Sequence, residues 1–150
     1  MKNYLLFILF FVVSCSGQTK ETIPLIKQPE SQIMYVKCTL NDVIVVPMIL
    51  DTGCSVTTIP AHVAFTLVDT GTLGAKDLLE RSSFRLADGS VIENQKIRLH
   101  SLKIGGQTFK DITVCVTKGG APLLLGGDIL AQLNSVTIDY INNTLTIEKQ

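Results

Sequence analysis

The sequence predicts an all-β domain, closed into a barrel or folded as a sandwich. Segments rich in Val, Ile, Thr, Tyr and Phe, each a few residues long, recur from Gln32 to the C-terminus. Turn-forming pairs separate them at Asn41–Asp42, Asp88–Gly89, Gly105–Gly106 and Asn142–Asn143, residues that supply the backbone conformations tight hairpins need. Only short stretches between them read as helix. Many short strands at regular spacing argue for such a closed all-β architecture. With 46% hydrophobic and 17% charged residues the composition is globular. A chain of 150 residues has room for one domain with a modest core.

The N-terminus reads as an address. Lys2 gives a positive start, and Tyr4–Val13, "YLLFILFFVV", is an unbroken apolar run. It is too short to span a bilayer as a helix, yet it has the length of a signal-peptide core. It ends at "VVSC", Val12–Cys15, which resembles the bacterial lipobox. That resemblance implies a signal peptide over residues 1–14, a lipid on Cys15, and a place in the cell envelope, facing the periplasm or on the outer membrane. An ordinary cleaved signal with a chance Cys is the alternative. Residues 15–31 are polar with prolines at 24 and 29, the composition of a linker that holds a domain off a membrane. The domain itself is expected over residues 32–150.

Within it, "QIMYVKCTL" from Gln32 alternates apolar and polar residues, turns at Asn41–Asp42, and returns as "VIVVPMIL". Pro47 cannot donate to a ladder, so an edge or bulge is expected there. Ser55–Ile59, "SVTTI", is a further strand, stiffened by β-branching. Residues 60–80 are the least regular: "PAHVAFTL" suits a short helix started by Pro60, and "KDLLERSS" one more helical turn. "SFRLADGSVIENQ" is a hairpin with Asp88–Gly89 at its tip. "KIRLHSLKI" and "QTFKDITVCV" flank Gly105–Gly106, and "DILAQL" is expected as a short helix capped by Asp128. "SVTIDY" and "TLTIEK" close the chain as a hairpin, and no internal repeat is present.

One stretch carries chemistry. "PMILDTGCSVTTIP", Pro47–Pro60, sets a carboxylate at the end of an apolar run, where it is costly unless bonded, paired or used. Ile49-Leu50-Asp51-Thr52-Gly53-Cys54-Ser55 resembles the active-site loop of aspartic peptidases. The chemistry accounts for the letters. The Asp must be held at a strand end, Gly permits a tight turn that lets backbone donors approach the carboxylate, and the Thr and Ser hydroxyls can bond backbone and carboxylate. Three further segments follow in that family's order: a flap hairpin at Arg85–Val91, "SLKIGG", and "LLLGGDIL" at Leu123–Leu130. Together they extend from Gln32 to Leu133. The sequence therefore resembles the retropepsin-like aspartic peptidases, in particular the short bacterial single-lobe kind.

The resemblance implies an all-β acid-protease barrel of a single lobe, with a flap hairpin and a short C-terminal helix. It implies a homodimer in which each protomer brings one catalytic Asp51, supported by Thr52, Gly53 and Ser55. Ala87, Asp88 and Gly89 would lie in the flap over an extended polypeptide substrate, with Asp88 as a turn former, and Gly126 would be the structural glycine before the C-terminal helix. The two aspartates share a proton, so that one acts as base on a water and the other as acid on the scissile carbonyl. Neither a metal nor another cofactor is required. Cys54 stands where the family usually has Ala, and the C-terminal hairpin exceeds the single strand by which retroviral relatives dimerise. "VDTG" recurs at Val68–Gly71, but Asp69 follows Asp51 too closely for a second lobe, and Leu73 stands where a hydroxyl belongs. A loop is the reading there.

Other classes fit less well. A formal charge of zero and the lack of a basic run give no pull toward nucleic acid. The four Cys include no CxxC pair, and His62 and His100 are not at zinc-ligand spacing. Cys38 and Cys115 lie in strand patterns as small hydrophobes, though an oxidising compartment would also permit a disulfide between them. A Cys54 nucleophile served by His62 or His100 lacks an orienting third group. An isolated Asp51 would read as a turn carboxylate. The main alternative to an endopeptidase is a catalytically inactive, lipid-anchored peptide-binding or assembly module of the same fold.

Overall fold

The structure, a computed structural model, describes residues 19–86 and 88–148. The expected signal peptide, the lipidation site Cys15 and the flap residue Ala87 lie outside the described residues. The strands are β1 (Lys20–Pro24), β2 (Ile26–Lys27), β3 (Met34–Leu40), β4 (Ile44–Leu50), β5 (Thr58–Pro60), β6 (Ser82–Arg85), β7 (Val91–Ile104), β8 (Gln107–Thr117), β9 (Leu124–Leu125), β10 (Ser135–Asp139) and β11 (Thr144–Glu148). Helix α1 spans Ala61–Asp69 and α2 Gly127–Leu130, with a 3-10 turn at Ala75–Asp77.

Pairing runs β3–β4–β9–β5–β8–β7 and returns from β7 to β3, so six strands close a barrel, with β2 and β6 added outside the ring. Closure removes free edges from the wall. The period-two pattern fills it: Met34, Val36, Cys38 and Leu40 of β3 are buried while Lys37 between them is exposed. Ile97, Leu99, Leu102 and Ile104 of β7 meet Phe109, Ile112 and Val114 of β8 in the same core. Each such side chain, fully buried, contributes about 1.5–3 kcal/mol of transfer free energy. The β3–β4 turn holds Asn41 and Asp42 at φ of 47° and 61°, as their position in the sequence predicts. Asn41 also staples the wall. Its Oδ1 accepts the N–H groups of His100 and Ser101 at 2.8 and 3.1 Å, and its Nδ2 donates to the Thr72 carbonyl at 2.9 Å.

A second, three-stranded sheet has the order β1–β11–β10. Here the structure corrects the linker reading. Lys20–Pro24 pairs with Thr144–Glu148 along its whole length, and Ile23 and Leu25 are buried. Those two alternate apolar positions drive the segment into the domain, and Pro24 is tolerated because β1 is an edge strand of its sheet. Pro47 fits the expected edge: β4 meets β9 only at Ile49 and Leu50, which leaves its outer side open at Pro47. The strand expected at Ser55–Ile59 starts only at Thr58, because Ser55–Thr57 belong to the site loop. Pro60 ends β5 and caps α1 rather than opening it. Asp128 caps nothing. Gly126 is the N-cap of α2, which is a single turn, and the Asp128 side chain is bonded elsewhere.

Candidate active site

Strand β4 delivers Asp51. Its parallel pairing with β9 continues one step beyond the strand, where the Asp51 N–H donates to the Leu125 carbonyl at 3.1 Å. The chain then turns tightly, with the Cys54 N–H 3.3 Å from the Asp51 carbonyl oxygen. That turn aims two main-chain donors at the carboxylate: Asp51 Oδ1 accepts the N–H groups of Gly53 at 3.0 Å and Cys54 at 3.1 Å. A Cβ on residue 53 would lie 3.3 Å from Oδ1, a crowded contact that Gly avoids. Asp51 Oδ2 accepts no hydrogen bond among the described residues and is left for chemistry.

The return limb is locked from beneath. Asp128 Oδ1 accepts both the N–H and the hydroxyl of Thr57, at 3.0 and 2.8 Å. The Thr57 hydroxyl oxygen accepts the Gly126 N–H at 3.1 Å, and the Gly127 N–H donates to the Cys54 carbonyl at 2.8 Å. Thr57 has no solvent exposure, so each of these groups would carry a desolvation penalty if unpaired. A Cβ on Gly126 would fall 2.7 Å from the Val56 carbonyl carbon and 2.8 Å from the Thr57 nitrogen. The segment Gly126–Asp128 is thus the seat of the Asp51 loop.

Above the loop lies a cleft of about 490 Å³. Asp51 is at one side, Val56, Pro122 and Leu124 form an apolar wall, and Phe84, Leu86 and Ile92 of the β6–β7 hairpin lie across it. The tip of that hairpin is held by Asp88, whose Oδ1 accepts the N–H and hydroxyl of Ser90 at 2.9 and 2.7 Å. These bonds hold the Asp88 carboxyl below the usual carboxylate range. Asp88 is a turn former, as its Asp-Gly context predicts.

A strand-end carboxylate, a glycine-rich seat and a hairpin over a cleft come in one chain order, and the family described as aspartyl protease matches residues 36–129. The chain belongs to the aspartyl protease family. The fold of this chain is similar to the crystal structure of a retropepsin-like aspartic protease from Rickettsia conorii, with a TM-score of 0.62 and 21% identity over 89% of this chain and 94% of that chain. It is also similar to the retroviral protease-like domain of Ddi1 from Leishmania major, with a TM-score of 0.54 and 20% identity over 79% of this chain and 90% of that one. No curated protein matches the sequence.

The other residues singled out from sequence fall into place around this candidate site. Thr52 and Ser55 are exposed on the loop. Neither hydroxyl makes a hydrogen bond among the described residues, because the tight turn brings N–H groups to the carboxylate instead. Asp69 is the last residue of α1, followed by Thr70 as its C-cap, and it does not line the cleft. The second "DTG" thus leaves the end of a helix and runs into a loop over residues 70–74, as expected. His62 and His100 do not line the cleft either, and His100 Nε2 is engaged 2.9 Å from Asp77 Oδ1. The Cys54 thiol donates to the Val56 carbonyl at 3.0 Å. Cys38 and Cys115 are both free thiols. Burial pushes Cys38 up to about 12 and raises Cys115 as well, which makes both poor nucleophiles. Sequence reasoning missed the Thr57–Asp128 pair. These residues are far apart in the chain, and each looked locally like something else, a strand residue and a helix cap.

Proposed function

We propose that this protein is an aspartic endopeptidase that acts as a homodimer, with one Asp51 from each protomer forming the catalytic pair. The observation that carries the reading is the Asp51 carboxylate: two N–H donors hold its Oδ1, Oδ2 accepts no hydrogen bond among the described residues, and the residue lines an apolar cleft roofed by a hairpin. A single carboxylate cannot serve as base and acid at once. A second copy supplies the other, and two carboxylates that share one site hold a proton between them. The pair then activates a water for attack on the scissile carbonyl and protonates the departing amine. The hairpin closes over an extended peptide and excludes bulk water.

Activity per chain should fall steeply on dilution below the dimer constant. Mixing wild type with excess Asp51→Asn should remove most of what remains. Sedimentation of a fully active monomer would end this reading. A dimer that binds peptides without cutting them would favour the inactive peptide-binding module.

We also propose that Cys15 carries a lipid that anchors the protein in the bacterial cell envelope, on the strength of "VVSC" after the apolar run. A fatty-acid probe should label the wild-type protein and not Cys15→Ser. An unlabelled wild type would sink the anchor while leaving the protease reading untouched.

A further inference from the structure

Two side chains on the cleft wall are polar, nine-tenths buried, and without a partner. Thr58 and Asn94 are each only 9% exposed, and both line the cleft. The Thr58 hydroxyl is buried with no hydrogen-bond partner, and the Asn94 carboxamide makes no hydrogen bond among the described residues. Buried polar groups in folded proteins are nearly always satisfied, so the Thr58 hydroxyl, left open on the cleft wall beside an Asn94 amide that reaches solvent and has no protein partner among the described residues, points to a ligand that completes them. The neighbouring Thr117 hydroxyl differs, because it donates to the Ile59 carbonyl at 3.4 Å.

Strand register puts the two on one face. Thr58 of β5 lies opposite Cys115 of β8, which lies opposite Lys96 of β7. Asn94 is two residues from Lys96 and therefore shares its face. Thr58 and Asn94 flank β8, about 10 Å apart across the strands at roughly 4.8 Å per strand and offset by two residues, about 7 Å, along them, or roughly 12 Å in all. A planar amide with a hydrogen bond of about 2.9 Å on either side fills most of that gap.

We infer that this part of the cleft is a polar subsite that takes a carboxamide side chain, glutamine or asparagine, of the peptide substrate. The inference rests on the endopeptidase reading and adds a substrate class to it. Asn94 offers one donor group and one acceptor, the complement of another amide, and the Thr58 hydroxyl can play either part. A neutral side chain enters without the cost of burying a charge. Two cations are near: Arg85 lines the cleft, and Lys96 lies on this face of the sheet with its Nζ 5.9 Å from the centre of the Phe84 ring. A substrate carboxylate is therefore the competing occupant that the experiment must separate.

The test uses the purified full-length mature protein and peptides that carry Gln, Met or Glu in turn at each position around the cleavage site. At one position kcat/KM for Gln should exceed that for Met by about 10-fold or more. Asn94→Leu and, independently, Thr58→Val should each bring that ratio toward one; either variant suffices if the other fails to fold. Binding of the same peptides to Asp51→Asn, read by fluorescence anisotropy, should show the same order. Equal rates for Gln and Met at every position would overturn the subsite and leave the endopeptidase intact. A preference for Glu that disappears in Lys96→Met or in Arg85→Met would overturn it in favour of a carboxylate. Gln-selective, Asn94-dependent binding without cleavage by wild type would uphold the subsite and refute the endopeptidase. Peptides that neither bind nor are cut would overturn both.

Discussion

Asp51→Asn is expected to fold as the wild type does and to lose peptide cleavage by at least about 10² to 10⁴ in rate, roughly 3 to 5 kcal/mol of barrier. Folding survives because an amide oxygen can stand where Oδ1 stands and keep the N–H groups of Gly53 and Cys54. Chemistry does not survive, because an amide neither takes a proton from water nor shares one with its partner. Asp69→Asn, made in parallel, should leave the rate near that of wild type. It removes a negative charge from the C-terminal end of α1, where a charge of that sign is mildly unfavourable. Cleavage that persists in Asp51→Asn, or is lost in Asp69→Asn, would refute the assignment. The pH profile should be bell-shaped and report the pair of carboxylates rather than either one.

Gly126→Ala should be the most damaging single methyl in the molecule. Its Cβ would meet main-chain atoms of Val56 and Thr57 and the Asp128 carboxylate, all within 2.8 Å, and main chain cannot swing aside as a side-chain tip can. The expected loss is about 2 to 4 kcal/mol of stability, together with most activity, since the displaced strand carries the Asp51 loop. Gly74→Ala is the control, because nothing lies within 4 Å of a Cβ there. Urea unfolding of the three proteins decides the matter: equal midpoints for Gly126→Ala and wild type would show that the seat is not tight.

The sequence disclosed those features that local chemistry dictates. The Asn41–Asp42 turn, the Asp88–Gly89 hairpin and the closing hairpin of β10 and β11 follow from alternation and from residues suited to left-handed or tight backbone. Asp51 was legible because a carboxylate at the end of an apolar strand needs a reason. Strand β1 was hidden by its two nearby prolines and polar composition, although Ile23 and Leu25 had the right spacing. The return limb of the Asp51 loop looked like strand because Val56, Thr57 and Thr58 are β-branched. The carboxylate of Asp128 and the N–H groups of Gly126 and Gly127, brought up from the far end of the chain, hold that limb as loop. Asn94 gave no local signal at all, since its place on the cleft wall depends on the pairing of β7 with β6 and β8. Contacts between distant segments are what single-segment patterns omit.

The pairing of β1 with β11 sets a distance. With a lipid on Cys15, only the few residues before Lys20 separate the acyl chains from a strand fixed in the fold. Even fully extended, that stretch reaches roughly 17 Å. The barrel would then ride against the headgroups instead of trailing on a long leash, and its mouth could sample only a thin layer of the aqueous phase. Proteins free in solution would have to diffuse to that layer, whereas chains threaded through or tethered to the same bilayer would already be within it. The brevity of the lead-in would choose substrates by height above the membrane before any side chain in the cleft is read.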